Sequence, residues 1–323
     1  MRIFNDAHYS FIDKRKTAYV FSGLLILISL AAMVANVAFI GAWQNYGVDF
    51  EGGSLIQVRF DGPMTALQLR DALGGTSAPD ITRFGEENEF VIRAPISEEM
   101  SIDSVATVLE AELTAAFGEG SFETVRADLV GAKVGDELQR RAAFAIIFSF
   151  FLTLIYLAIR FELRFGAAAI IATLHDIILT LGFLAVFRIE IALPTVAALL
   201  TIVGYSLNDT IVVFDRIREN LGKKGGRKVD PGELVNQSIN ETLPRTVLTS
   251  GTTLAVLLAL LLLGGAVLRD FTLVLMLGVV IGTYSSIFVA SPALLEIQNR
   301  WGTGDAKEKE RDRKRRKRAD VPV

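Results

Sequence analysis

The chain contains no cysteine, only two histidines (His8 and His175), two tryptophans and eight prolines in 323 residues. Without cysteine there is no disulfide framework, no thiolate metal site and no thiol nucleophile. Two histidines far apart in sequence leave no basis for a histidine metal cluster, so no metal and no cofactor is expected. No catalytic constellation stands out in the polar stretch 41–139. Charge is scarce wherever the chain is apolar, and apolar residues make up 51% of the whole, with a mean hydropathy of +0.42. An average this positive over such a length points to a membrane protein.

The small net charge of −3 conceals an asymmetry. Residues 41–139 hold 18 Asp/Glu against 6 Lys/Arg, a net of −12, and the rest of the chain is net +9. That acidic block reads as a domain in water, bounded by membrane segments. Six apolar runs flank it: 18–40, 142–159, 166–187, 193–214, 247–263 and 271–295. Each is near the ~20 residues that a helix needs to cross a bilayer. The first is too long for a signal-peptide core, so it reads as an uncleaved span.

Basic residues orient the chain. Lys14, Arg15 and Lys16 precede the first run, Lys223, Lys224, Arg227 and Lys228 lie between the fourth and fifth, and 311–318 (RDRKRRKR) form a basic tail. The positive-inside rule places these in the cytoplasm and the acidic block outside. Arg140 and Arg141 fall on the outer side, next to a large translocated domain whose charge counts less. The domains expected are a cytoplasmic N-terminus (1–17), a first span (18–40), an extracytoplasmic domain (41–139), five further spans (140–295) and a cytoplasmic tail (296–323). The tail lacks interleaved aromatics, so anionic lipid or a cytoplasmic partner such as the ribosome fits it better than nucleic acid.

Inside the acidic block the pattern is β-α-β-β-α-β. Ser54 to Phe60 alternates as a strand, and Thr65 to Leu73 suits a short helix. Ile81 to Phe84 and Phe90 to Arg93 read as strands. Ile102, Val105, Leu109 and Leu113 recur at helical spacing over 101–117, and Ser121 to Leu129 closes the set. This order is that of the split βαβ, ferredoxin-like α+β arrangement. Its carboxylates are scattered over turns and helix faces, as on a solvated surface.

Four ionisable residues lie at membrane depth: His175, Asp176, Asp209 and Arg245. A carboxyl there costs at least ~2.5 kcal/mol to insert, so each one is a candidate functional residue by default. Asp215, Arg216 and Arg218 follow the last apolar residues of the fourth run and suit the interface. Two readings of Asp209 and Arg245 stand side by side. One is a static ion pair that fixes helix packing. The other is a carboxylate that takes and releases a proton as Arg245 approaches and withdraws. Asn208 and Thr249 are candidates to line a water path, and His175 suits an interhelical donor.

Three stretches resemble one family. Gly204-Tyr205-Ser206-Leu207-Asn208-Asp209-Thr210 through Asp215-Arg216 resembles the fourth-helix signature of the SecF family of protein-export membrane proteins. Asp49-Phe50-Glu51-Gly52-Gly53 resembles that family's D-F-x-G-G element, with Glu51 where most relatives carry Thr or Ser. Arg245 to Leu254 resembles the start of its fifth helix. The resemblance implies a resistance-nodulation-division type of transporter half, not an enzyme, in the bacterial inner membrane. It implies pairing with SecD into a twelve-helix unit, and use of the proton gradient to assist late export of unfolded preprotein through SecYEG after SecA has pushed. YajC and YidC are further candidate partners. Residue by residue, it places the proton-path carboxylate on Asp209 and its partner on Arg245, with His175-Asp176 matching a third-helix pattern and Asp49, Phe50, Gly52 and Gly53 a structural motif. Other readings are a half-transporter of small amphiphiles, or a scaffold that anchors an external substrate-binding domain.

Overall fold

The computed structural model describes residues 8–74, 79–84, 88–94, 102–223, 230–265 and 268–301. Lys224, Arg227, Lys228 and the basic tail lie outside the described residues.

A short 3-10 turn (Ile12–Lys14) leads into α1 (Arg15–Ile40). Gly41, at φ 90°, closes it in the left-handed conformation that glycine adopts without steric cost. Then come β1 (Asn45–Tyr46), α2 (Val48–Glu51), β2 (Gly53–Phe60), α3 (Ala66–Ala72), β3 (Asp80–Arg83), β4 (Glu89–Ala94), α4 (Ile102–Phe117) and β5 (Phe122–Val130). Long helices follow: α5 (Ala132–Arg160), α6 (Leu163–Phe187), α7 (Leu193–Lys223), α8 (Pro231–Leu263), α9 (Arg269–Ser285) and α10 (Ser291–Trp301). A two-residue strand, β6 (Glu190–Ile191), lies between α6 and α7, and a π turn (Ser286–Ala290) joins α9 to α10.

Strands β2 to β5 form one antiparallel sheet in the order β3-β4-β2-β5. Its elements alternate as the sequence pattern requires, β2-α3-β3-β4-α4-β5. Ile56, Val58 and Phe60 alternate onto one face of β2 and meet Phe90 and Ile92 of β4, with Leu69 of α3 and Leu109 and Leu113 of α4 above them. Each such side chain contributes about 1.5–3 kcal/mol by leaving water. Thr65 starts α3 with a reciprocal cap: its hydroxyl accepts from the Gln68 N–H, and the Gln68 amide oxygen accepts from the Thr65 N–H.

Among the described residues, six helical segments are long and apolar enough to cross a membrane: Ile12–Ile40, Val134–Leu157, Leu163–Phe187, Leu193–Lys223, Pro231–Leu263 and Arg269–Arg300. Helix α7 packs most extensively on α9, and also on α8 and α6; α6 packs on α1. Glycines set the spacing, as small residues do where there is no hydrophobic drive between helices. A Cβ on Gly278 of α9 would fall 2.2 Å from Ile202 Cγ1 of α7, and one on Gly182 of α6 would fall 2.0 Å from Ser29 Oγ of α1.

The helices overrun the apolar runs. Residues 132–141, ahead of the second run, are the first part of α5. Between the fourth and fifth runs, 216–223 and 231–245 are helical. Helix α7 runs on to Lys223, with Glu219 bonded to Arg216 and Lys223 on the same face. Helix α8 begins at Pro231, where Asp230 accepts from the Gly232 N–H. Arg245 therefore lies well inside α8 instead of opening a helix, next to the interior Pro244. The last apolar run is interrupted by the π turn. The connection between the third and fourth runs carries a strand, β6, paired in parallel with β1. Hydropathy marks where the chain can enter a membrane, not where a helix stops, because polar turns continue a helix when their charges pair along it.

Candidate functional site

Helix α7 carries the centre of the molecule. Asp209 lies 16 residues into it, ~24 Å along the axis, and is 3% exposed. A hydroxyl from α8 reaches it: Ser250 Oγ lies 3.3 Å from Asp209 Oδ2. Ser250 Oγ also lies 2.7 Å from Thr283 Oγ1 of α9, and Thr283 donates to the Val279 carbonyl at 2.7 Å. A hydroxyl has one hydrogen, so Ser250 directs it either at Asp209 or at Thr283. The carboxyl of Asp209 is thus nearly sealed yet weakly bonded.

The partners expected for Asp209 stand apart from it. Arg245 is exposed on α8, and no ion pair joins it to Asp209. Asn208 is exposed on α7. Thr249 turns its hydroxyl to the Arg245 and Thr246 carbonyls of its own helix, as threonines in helices do. The structure therefore has no static Asp209–Arg245 bridge.

One turn earlier on α7, Ser206 enters a second polar cluster. It donates to Asp176 Oδ2 on α6, and Ser285 of α9 donates to the same oxygen at 2.7 Å. Asp176 Oδ1 lies 2.8 Å from His175 Nδ1. His175 Nε2 lies 3.1 Å from Ser22 Oγ of α1, which lies 3.1 Å from the Tyr284 hydroxyl of α9. Asp176 is 1% and His175 4% exposed. Gly282 makes room here, since a Cβ on it would fall 3.0 Å from Ser206 Cβ.

The structure joins His175 to Asp176 and brings in Ser22, Ser206, Ser250, Thr283, Tyr284 and Ser285, none of which the sequence assigns to the site. The signal was small hydroxyl residues inside apolar runs, where an unbonded hydroxyl is costly. On sequence alone Asp215 and Arg216 read as interfacial anchors. They bridge helices: Arg160 of α5 bonds both oxygens of Asp215 at 3.2 Å, and Arg216 bonds Glu241 of α8 at 2.5 Å. Asn220 joins that cluster through Glu241 and Ser238.

The Asp49-Phe50-Glu51-Gly52-Gly53 motif forms a joint between the sheet and the helices. Asp49 Oδ2 accepts from the Leu193 N–H at 2.8 Å and so caps α7. Phe50 is buried against Leu184 of α6 and Ile191, Val196 and Leu199 around the start of α7. Gly52 and Gly53 both have positive φ, 75° and 134°, which turns the chain sharply into β2. A Cβ on Gly135 of α5 would fall 2.8 Å from the Phe50 carbonyl oxygen, so α5 lies directly against the turn. The β1–β6 pairing and an Arg93–Glu190 ion pair add to the joint. Among the described residues no group of three metal-ligating side chains assembles.

The family described as "Protein export membrane protein SecD/SecF, C-terminal" matches residues 109–300, and the "SecD/SecF GG Motif" matches 45–64. The protein translocase subunit SecF of Gemmatimonas aurantiaca is 43% identical over 308 residues, covering 93% of this chain and 90% of that protein. The subunit SecF of Vibrio alginolyticus is 43% identical over 289 residues, covering 89% of each. Among solved structures, SecDF of Thermus thermophilus, described as a translocon-associated membrane protein, superposes with a TM-score of 0.77 at 37% identity. It is aligned over 93% of this chain, which spans 40% of that longer one. The family match over more than half the chain, and relatives of this identity over nearly their full length, show that this multi-pass membrane protein belongs to the SecD/SecF family of protein-export membrane proteins.

Proposed function

We propose that the chain acts as the SecF-like half of a SecD–SecF unit in Sec-pathway protein export, and that Asp209 takes and releases the proton that drives it. The relatives' names support the export role, and the SecDF structures support SecD as the partner. The observation that carries the proton assignment is the state of Asp209: a sealed carboxyl at mid-helix, held by at most one long hydrogen bond. Burial without bonds favours the neutral carboxylic acid, and an approaching guanidinium favours the carboxylate. Arg245 lies five residues before Ser250 on the same helix. If it approached Asp209, the proton would leave; if it withdrew, the proton would return. Protonation is then linked to helix rearrangement by differential affinity for two states.

In this reading the sheet domain, with its ferredoxin-like element order, faces outward, and both termini lie in the cytoplasm of the bacterial inner membrane. Asp49 links the two halves, because it caps the helix that carries Asp209. Movement of α7 would reach the sheet through that cap. The proton motive force then assists the late passage of preprotein through SecYEG.

The test uses inverted membrane vesicles that carry the partner subunits. Asp209→Asn keeps shape and polarity but cannot ionise, and is expected to abolish the gradient-dependent part of export. Arg245→Lys should impair it less than Arg245→Ala, because lysine keeps the charge and loses the planar fork. Undiminished gradient dependence in Asp209→Asn vesicles would leave Asp209 a structural residue only. Orientation is tested on the cysteine-free background with single cysteines at exposed Glu123 and Lys223. An impermeant reagent should label the first from outside and spare the second.

A further inference from the structure

The proton positions around His175 can be traced through its neighbours. The Tyr284 hydroxyl lies 3.2 Å from the Ala18 carbonyl, which can only accept, so the phenol donates there. Its oxygen then accepts from Ser22 Oγ. The single hydrogen of Ser22 is thereby committed to Tyr284, and Ser22 Oγ must accept from His175 Nε2. Nε2 therefore carries a proton. On the other side of the ring, Nδ1 faces Asp176 Oδ1 at 2.8 Å. Two bare lone pairs repel at that distance, so a further proton lies between them.

From this chain of donors we infer that the His175–Asp176 dyad is a second proton-holding site, neutral as a pair. The shared proton belongs to the pair, whether written as imidazolium with carboxylate or imidazole with carboxylic acid. Electrostatics favours the same state. With one proton fewer, the dyad would be a net negative charge, buried, and lacking a Lys or Arg partner among the described residues. Removing such a charge from water without a partner costs several kcal/mol.

The other ionisable groups around the dyad are occupied or distant. Arg15 at the start of α1 pairs with Glu296 of α10 at 3.5 Å, and Tyr19 of α1 faces that same pair. The charged residues of α5 lie within 132–141 or at Arg160. On α7 the nearest is Asp209, one turn beyond Ser206, and on α9 it is Tyr284 itself. Three helices besides α6 thus hold the proton: α1 through Ser22, α7 through Ser206, and α9 through Tyr284 and Ser285. Parting α9 from α7 would strip Asp176 Oδ2 of a donor and loosen the hold. This adds a second protonatable group to the proposed reading, one turn of α7 away from Asp209. Its test does not depend on Asp209.

His8 and His175 are the only histidines. His8→Gln in the full chain, labelled with ring-15N histidine and reconstituted in lipid, therefore gives the NMR signals of His175 alone. The expected spectrum has a protonated Nε2 and an Nδ1 in a shared-proton hydrogen bond, with neither nitrogen bare. Adding Asp176→Asn should abolish the shared-proton signal and leave a neutral ring protonated at Nε2. A parent spectrum with a bare Nε2 and a protonated Nδ1 would overturn the inference. So would a ring indifferent to Asp176→Asn. The parent spectrum decides the question even where the double variant fails to fold, and a failure here leaves the Asp209 reading untouched.

Discussion

Asp176 and Asp209 lie on adjoining helices, both almost fully buried, and their surroundings differ. Asp176 is bonded by His175, Ser206 and Ser285. Asp209 has Ser250 alone, at 3.3 Å and shared with Thr283. Equal burial therefore does not mean equal chemistry. A carboxyl with three donors is fixed in place and helps to hold three helices together. A carboxyl with one weak donor has little to keep its charge or its position constant, and it is the better candidate to change protonation during a cycle.

Substitutions that exchange the two behaviours break the comparison. The largest effect is expected from Asp209→Asn: complete loss of gradient-dependent export, with thermal unfolding changed by no more than about 1 kcal/mol, the worth of one ordinary hydrogen bond. Asp176→Ala should do the reverse. It leaves His175 and two serine hydroxyls without their acceptor, and stability should fall by about 3 kcal/mol, as when one partner of a buried pair is removed. Equal stability losses in the two variants would erase the distinction.

A smaller effect is expected where the helices meet. Gly278→Val forces a side chain into Ile202 and should cost about 1–3 kcal/mol by overpacking. It should also disturb the α7–α9 packing that brings Ser206 and Ser285 to Asp176, so export should fall along with melting temperature. Loss of melting temperature with export intact would show that α7 and α9 need not fit closely for function. The smallest effect comes from the joint. Asp49→Ala removes the cap on α7 and should cost about 1 kcal/mol. Export should fall more than this stability loss accounts for, if the sheet is coupled to α7 through that cap. Export in proportion to folded protein would make Asp49 a cap and nothing more.

Much of the architecture was legible in the sequence because the responsible signals are local. Alternation gave Ser54 to Phe60, helical spacing gave Leu109 and Leu113, and apolar length gave six spans. The extension of α7 to Lys223 and the start of α8 at Pro231 were missed. Their charged turns look like loops until Glu219 is seen bonded to Arg216 and Lys223. The site was half legible. An Asp in an apolar run announces itself, and so does a His-Asp pair. Which helix faces which is a long-range fact, so the donors to Asp176 and Asp209 emerged only with the fold. The same reason separates Arg245 from Asp209. Both were placed at one depth, but depth says nothing about the direction of a side chain around its helix. The role of Asp49 was hidden for a simpler reason: its partner, the Leu193 N–H, lies 144 residues away.

The account rests on Asp209 being the carboxyl that changes protonation. Infrared difference spectroscopy on the reconstituted SecD–SecF unit, recorded on a pH jump, reads carboxyl groups directly. A carboxyl C=O band is expected in the parent protein, retained in Asp176→Asn and absent in Asp209→Asn. A band that survives Asp209→Asn unchanged would contradict the account.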